Sequence, residues 1–348
     1  MARKNSNDNL FGFPGLFDDP ILGSGDDSAE LSKSGSLHGA NEIMSGGIQL
    51  HQPSANLHPL GPVVVKPVPN KITFLSFGSG SSGNCAYIGD STAGFLIDAG
   101  VDAKTVLEGL AANNIPVSNI KGICITHDHS DHMRFAYTLV RKHKHISIYC
   151  TPRAMNGILR RHNVSRRIKD YHTPIYKEIP FTIGNFTITA FEVMHDGSDN
   201  AGFYVQHDDR AFAIATDLGC ISDRADHYMR QADYLMIESN YDLHMLMFGN
   251  YPEYLKSRIR NVNGHLDNKV TAEYLAKIYT PRLRYVFLCH LSRDNNTPEE
   301  AVGATRRALE EIGLKVGAGQ NTPEDNAADI QVIALPRFDC SQLFSLRP

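Results

Sequence analysis

The run Thr126-His127-Asp128-His129-Ser130-Asp131-His132 follows directly on the apolar stretch Gly122-Ile123-Cys124-Ile125. A short apolar run bounded by polar residues reads as a buried strand, so the polar run stands at its mouth. Alternate residues of an extended segment point the same way, which lets His127 and His129 grip one ion together. Where the chain turns toward a helix, Asp131 and His132 can face a second ion close by. The plain alternative is a solvated polar turn, since His and Asp are both common in turns. Ligand-type residues in matching contexts elsewhere in the chain weigh against it.

Three such residues close strand-like runs. His195 ends Phe186–Met194 just before the turn signal Asp196-Gly197, Asp217 ends Phe212–Thr216, and His290 ends Tyr285–Cys289. Layered α/β folds assemble sites where strand C-terminal ends open on one edge of a sheet. Strand signals lie near 71–77, 94–98, 121–126, 146–150, 185–194, 201–207, 211–216, 233–238, 284–289 and 329–335. Helical patterns lie near 102–113, 132–143, 152–162, 222–231, 251–261, 269–279 and 297–313. Many short strands interleaved with helices over residues 70–348 point to one α/β domain with a large core.

Residues 1–69 differ: Gly, Ser, Asn and Pro dominate, with seven acidic against four basic residues and no periodicity. Such a segment cannot bury enough apolar surface to offset its ordering entropy and is expected to be disordered. Its aromatic stretch Leu10–Phe17 could dock a protein partner, although an inert tail explains it as well. The six cysteines form no C-x-x-C pair, which suits buried thiols in a reducing compartment. No apolar run reaches the roughly 18 residues of a membrane span, and no signal-peptide core is legible. A cytoplasmic protein is expected.

With these residues in place, the chain resembles the metallo-β-lactamase superfamily over most of 71–348. The H-x-H-x-D-H signature stands at 127–132, and the family's later His, Asp and His match His195, Asp217 and His290. An early-strand Asp matches Asp98 in Phe95-Leu96-Ile97-Asp98-Ala99-Gly100. The resemblance implies an αββα four-layer sandwich, with His127, His129 and His195 on one metal. Asp131, His132 and His290 would hold the other, with Asp217 bridging. Imidazoles and carboxylates suit two divalent ions, zinc or manganese, with iron also compatible. Such a pair lowers the pKa of a bridging water and supplies hydroxide near neutral pH. Asp98 and Asp128 are expected to orient ligand imidazoles.

Three features bear on the substrate. Residues 134–169 hold ten Arg or Lys and no Asp or Glu, inside a domain that is near neutral as a whole, with 30 basic (34 minus 4) against 31 acidic (38 minus 7) residues. A localised positive face suited to a phosphate backbone is expected, with Arg160, Arg161, Arg166 and Arg167 holding the strand. The loop Gly78-Ser79-Gly80-Ser81-Ser82-Gly83-Asn84 can present Ser79, Ser81, Ser82 and Asn84 to an anion, or be a plain linker. Finally, Glu238-Ser239-Asn240-Tyr241 and Gly264-His265-Leu266 resemble motifs of tRNase Z and related nucleases. That resemblance implies that Glu238 orients His265, a general acid for the leaving oxygen.

Together with Cys289-His290-Leu291-Ser292 and Asn295-Asn296-Thr297-Pro298-Glu299, these segments most closely resemble the YycJ/WalJ-like branch. That branch is associated with metal-dependent 5′ to 3′ exonuclease action on duplex DNA. The interval from Asp217 to His290 is too short for the cap domain of the larger β-CASP nucleases. The resemblance thus implies a dinuclear phosphodiesterase with a DNA partner, in which Asp131, Glu238 and His265 carry catalysis. Two other readings stay open. One is hydrolysis of a small ester, thioester or lactone on the same metals; the other is a non-catalytic regulator recruited through the tail. Metal identity, strand polarity and oligomeric state are not legible in the chain.

Overall fold

The structure, a computed structural model, describes residues 71–346; the tail and its aromatic stretch lie outside the described residues. One sheet draws on β1 Ile72–Gly78, β2 Cys85–Gly89, β3 Gly94–Ile97, β4 Ile120–Cys124, β5 Ser147–Cys150 and β6 His172–Pro174. The other is built from β7 Phe181–Ile183, β8 Phe186–Glu192, β9 Ala201–His207, β10 Arg210–Ala215, β11 Tyr234–Glu238, β12 Tyr285–Cys289, β13 Val316–Gly317 and β14 Ile330–Ala334. The chain returns in β15 Phe344–Leu346 to pair with β1, giving the orders β15-β1-β2-β3-β4-β5-β6 and β13-β14-β12-β11-β10-β9-β8-β7.

The central strands read as continuous apolar runs because both their faces are buried. Tyr234 and Met236 of β11 face the other sheet, while Leu235 and Ile237 face the helices. Between the sheets, Phe74, Phe95 and Ile97 meet Phe186, Phe203, Phe212 and Phe287. Outside the first sheet pack α1 Ala103–Ala112, α2 Ser130–Met133, α3 Ala136–Lys142 and α4 Pro152–Arg161, with Val106, Leu139 and Ile158 among the contacts. Outside the second lie α5 Asp223–Met229, α6 Leu243–Phe248, α7 Glu253–Ile259, α8 Asn268–Ile278, α9 Pro298–Glu311 and α10 Pro323–Asn326, with Met229, Leu275 and Leu309 in its core. The result is the four-layer αββα sandwich. Among the described residues, no helix is long and apolar enough to cross a membrane, and all six cysteines are free.

The single helix expected over 132–143 is broken, and the break positions the site. In a continuing helix the Asp131 carbonyl would accept the Phe135 amide. Instead it accepts Asn84 N–H at 2.7 Å, while the His132 carbonyl accepts Ala99 N–H at 2.7 Å and Phe135 N–H turns to Ala99 at 2.8 Å. Gly100 permits this approach: a Cβ there would lie 1.6 Å from the Asp131 carbonyl oxygen. The polar run is thereby pinned to the start of β2 and the end of β3.

Candidate metal centre

The two sheets present their chemistry at one edge. β3 and β4 run parallel in the first sheet, as do β10, β11 and β12 in the second. Their C-terminal ends deliver Asp98, the 127–132 run, Asp217, Glu238 and His290 to the same place. Asp98, Asp217 and His290 each leave their strand in the left-handed region, at φ of 61°, 48° and 54°. Asp adopts this region readily, whereas a histidine pays roughly 1–3 kcal/mol there, so His290 holds a strained backbone of the kind found at functional sites.

The structure brings the expected ligands together. His127, His129, His195 and Asp217 place ligand atoms within 4.8 Å of one another, and Asp131, His132 and His290 do the same. Asp217 faces both groups. Its Oδ2 lies 3.9 Å from His127 Nε2 and 3.5 Å from His195 Nε2, and its Oδ1 lies 3.4 Å from His132 Nε2 and 3.7 Å from His290 Nδ1. Asp131 Oδ2 stands 3.5 Å from Nε2 of both His132 and His290. Nδ1 of His129 and Nε2 of His195 point at each other across 3.3 Å.

Hydrogen bonds on the far side of each ring hold these nitrogens in place. His132 Nδ1 meets Asp98 Oδ2 at 2.7 Å, and His195 Nδ1 donates to the Gly264 carbonyl at 3.0 Å. Thr126 Oγ1 lies 3.0 Å from His127 Nδ1 and also bonds Asp98. Asp98 therefore orients an imidazole as expected. Asp128 does not: between two inward-facing histidines it points the other way. Its carboxylate accepts Ser198 N–H at 2.8 Å and the Ser198 hydroxyl at 2.6 Å, clamping the 196–200 turn.

The donor set fits metal ions on two counts. His127 Nε2, His290 Nε2 and Asp217 Oδ1 are buried without a hydrogen-bond partner, although all three sit inside the cluster. In addition, Asp98, Asp131, Asp217 and Glu238 ion-pair only with histidines among the described residues, never with Lys or Arg. Four buried or nearly buried carboxylates require cationic compensation. Burial first, then neighbouring imidazoles, holds His127 well below the usual range and His129 at about 4. Both rings are neutral at physiological pH, the form that binds metal. Around His290 the carboxylates win: against burial, Asp217, Asp131 and Glu238 push it up to about 10.

Glu238 is fully buried at the end of β11. Its Oε2 accepts Leu218 N–H at 2.7 Å and Leu266 N–H at 3.2 Å. Its Oε1 holds Nδ1 of His265 at 2.7 Å and Nδ1 of His290 at 3.0 Å. The His265 ring stacks on His290 at 5.2 Å between centroids and stands 5.1 Å from His195. Against the burial that lowers it, the Glu238 charge raises the His265 pKa. The carboxylate thus orients two rings.

The substrate-side expectations divide. Ser79 is buried and its hydroxyl accepts His290 N–H at 2.9 Å. Asn84 ties Gly80 to the cluster, with Nδ2 3.0 Å from His132 Nε2. Ser81 accepts a hydrogen bond from Arg337, and Ser82 is exposed. Arg160 reaches Ser198 at 3.1 Å and Arg161 approaches Asp128 at 3.5 Å, both beside the site. The 141–145 part of the basic segment lies elsewhere. His145, in its 141–145 part, bonds the Val117 carbonyl at 3.2 Å, ahead of β4 and so at the opposite end of that strand from the cluster. Arg166 and Arg167 are exposed, and Arg167 has only a loose 3.9 Å approach to Asp170. Spacing along the sequence does not show that the 141–145 part of the segment and its Arg160–Arg161 part lie at different ends of the sheet.

Sequence reading missed Asp196, whose Oδ1 lies 3.3 Å from His129 Nε2 and whose Oδ2 accepts Arg258 at 2.7 Å. It also missed Asn240, which donates to the His290 carbonyl at 2.7 Å. Asp196 neighbours His195 and could have been suspected from that; Arg258 carried no signal.

Residues 94–290 match the family described as Beta-lactamase superfamily domain. The chain is 31% identical over 244 residues to Exodeoxyribonuclease YycJ of Bacillus anthracis, covering 70% of this chain and 91% of that protein. It is 32% identical over 239 residues to Exodeoxyribonuclease WalJ of Streptococcus pneumoniae, covering 69% and 88%. Among solved structures, the metallo-β-lactamase fold protein YhfI from Bacillus subtilis superposes with a TM-score of 0.56 at 12% identity, over 78% of this chain and 99% of that one. Zn(2+)-bound PqqB from Methylobacterium extorquens gives 0.53 at 14%, over 79% and 100%. The two superpositions speak to fold alone.

Proposed function

Because the chain belongs to the metallo-β-lactamase superfamily, and to its hydrolases, we propose that it is a dinuclear phosphodiester hydrolase acting on DNA as a 5′ to 3′ exonuclease in the cytoplasm. The carrying observation is the Glu238–His265 pair, joined at 2.7 Å and set against the His290 side of the cluster. A phosphodiester leaves an alkoxide that needs a proton, and a buried carboxylate behind an imidazole supplies a positioned donor. The relatives named exodeoxyribonucleases support the same substrate class.

In this reading His127, His129, His195 and Asp217 would hold one divalent ion, and Asp131, His132 and His290 another, with Asp217 shared. Bound there, zinc or manganese supplies Lewis-acid charge and an activated water near neutral pH. The chain's own residues do the rest. Asp98 and Gly264 fix the rings of His132 and His195 so that Nε2 faces inward. Glu238 keeps the proton of His290 on Nδ1 and holds His265 through its Nδ1–H, leaving His265 Nε2 to carry the proton for the departing oxygen. Arg160 and Arg161 offer positive charge at the rim next to the 196–200 turn.

The test is hydrolysis of 5′-phosphorylated duplex DNA by purified protein with Mn²⁺ or Zn²⁺, alongside Asp131→Ala. Metal-dependent cleavage that the variant loses supports the reading; no cleavage, or equal cleavage by the variant, ends it.

A further inference from the structure

We propose that Arg337, together with Ser81, forms a subsite for a second phosphate of the substrate, beside the Asp131–His132–His290 side of the cluster; the proposal rests on the phosphodiesterase reading above. Arg337 is half-buried in the turn after β14. Its Nη1 donates to the Leu291 carbonyl at 2.6 Å and its Nη2 to the Ser81 hydroxyl at 2.6 Å. A guanidinium has five N–H donors, so three remain, and Nε is buried without a partner.

This arginine differs from others in the fold. Arg210 and Arg282 close on Asp233, Arg258 on Asp196, and Arg224 on Glu178. Arg337 has no carboxylate within ion-pairing distance among the described residues. A guanidinium stays charged in a protein, and partly burying it without an anion is unfavourable unless a ligand completes it. A planar fork with open donors matches the oxygens of a phosphate.

The placement is what ties it to the site. Leu291 directly follows His290, so the fork grips the backbone next to a candidate ligand. Gly80 lies under the guanidinium, and a Cβ there would stand 2.8 Å from Nη1. The Asn84 side chain bonds both N–H and C=O of Gly80, at 2.8 and 3.0 Å, and its Nδ2 reaches Asp131 Oδ2 at 3.3 Å. Arg293 and Asp294, both exposed on the neighbouring loop, lie within electrostatic reach of Arg337, as does Asp131, though neither carboxylate closes an ion pair with it. The Gly/Ser loop therefore acts as a cradle for an arginine, and the arginine faces the phosphate. A terminal 5′-phosphate and an internal phosphodiester present the same oxygens, and the assay separates them.

The experiment uses the full chain loaded with Mn²⁺. Initial rates are measured for wild type, Arg337→Gln, Arg337→Lys and Ser81→Ala. The substrates are one duplex carrying either a 5′-phosphate or a 5′-hydroxyl, and bis(4-nitrophenyl) phosphate, which is too small to reach both places. Metal content and melting temperature are recorded alongside. Arg337→Gln is expected to raise KM for the 5′-phosphorylated duplex on the order of 10–100-fold, the usual worth of a hydrogen bond to a charged group. The fall in kcat is smaller than the rise in KM, and Arg337→Lys recovers part of the loss. Ser81→Ala, which keeps the charge but frees the fork, raises KM several-fold and answers the question even where the Gln variant does not fold. A rise confined to the 5′-phosphorylated duplex assigns the terminal phosphate; an equal rise on both duplexes assigns an internal one. Unchanged KM on both duplexes overturns the subsite, as does a loss on the small diester equal to that on DNA, or a loss that tracks metal content, either of which makes Arg337 a strut. A wild type that cleaves none of the three substrates overturns the functional reading itself, and the subsite with it.

Discussion

Replacing Glu238 by Gln changes one buried atom and should disable two histidines. The Leu218 and Leu266 amides can only donate, and both point at Oε2. A glutamine must therefore keep its oxygen there and turn its NH₂ toward Nδ1 of His265 and His290. Those nitrogens currently donate to Oε1 at 2.7 and 3.0 Å. Facing a donor, each must become an acceptor, and each proton moves to Nε2. His290 then loses the Nε2 lone pair that faces Asp131 and would ligate metal. Disturbing a group that orients a ligand typically costs 10–100-fold in metal affinity, about 1.4–2.7 kcal/mol. His265 fails separately: with Nδ1 accepting, it has no charged form to give up a proton from. Loss of a general acid is worth roughly 10²–10⁴ in rate. Metal affinity is measured by competition with a chromophoric chelator, and turnover on 5′-phosphorylated duplex at saturating and limiting Mn²⁺. At saturating metal the 10²–10⁴ deficit remains; at limiting metal it deepens by up to the affinity loss. A folded Glu238→Gln protein with metal affinity within about twofold of wild type and kcat within tenfold would show that the proton positions argued here are wrong.

Other outcomes follow from the same geometry. Gly100→Ala forces a methyl onto the Asp131 carbonyl; backbone has to move, so the stability read from urea unfolding should fall by about 3 kcal/mol or more, and an unchanged urea midpoint refutes the close approach. Chelation should lower the melting temperature of the metal-loaded protein, since ligand at 100 times its Kd contributes about 2.7 kcal/mol per site; calorimetry with and without EDTA decides. Arg160→Gln and Arg161→Gln should weaken duplex DNA binding and flatten its salt dependence more than Arg166→Gln and Arg167→Gln, as titrations by fluorescence anisotropy at two salt concentrations would reveal. Asp90 links the sheets: Oδ1 accepts the Thr92 and Ala93 amides at 2.7 and 2.8 Å, and Oδ2 takes Asn185 at 2.7 Å and His207 at 3.1 Å. Burial would raise its pKa, but the bonds from Asn185, Ala93 and Thr92 outweigh it and hold the carboxyl far below the usual range. A depressed folded pKa contributes stability that is complete above the ordinary carboxylate value of about 3.9 and is lost as pH falls below it. Asp90→Asn should therefore cost about 1–3 kcal/mol at neutral pH, with the gap to wild type closing in unfolding curves taken below pH 4.

Much of this was legible in the chain because it is written in local pattern. Strands β10, β11 and β12 are short apolar runs that stop at Asp217, Glu238 and His290, so an ordinary reading of runs and their ends finds both strand and ligand. The same reading overlooks β2, where Cys85-Ala86-Tyr87-Ile88-Gly89 has neither alternation nor length. Its ring at Tyr87 fits only because Gly89 lies beneath it, with a Cβ there 2.0 Å from the hydroxyl. The edge strands β6, β7, β13 and β15 are two or three residues long and carry no signal of their own. The break between α2 and α3 was also hidden, because it is imposed by Asn84 and Ala99 from elsewhere in the chain. Tertiary hydrogen bonds overrode a sound helical period. Asp98 was placed correctly from its position at a strand end, whereas Asp128 was misread because residue type outweighed the alternation that His127 and His129 had already established. Partners that act from a distance in sequence, such as Gly264 on His195 or Arg258 on Asp196, exist only in three dimensions.

The site gathers side chains from Asp98 through His290, one strand end after another, across 192 positions (290 minus 98). During synthesis the ribosome adds roughly 5–20 residues per second, so about 10–40 s separate the first of these groups from the last. Until β12 has emerged and inserted between β11 and β14, the second half of the donor set has no His290 and Glu238 has only one of its two rings. On the proposed reading, a nascent chain short of β12 lacks the complete donor set, and the chemistry has to wait until that strand takes its place in the sheet.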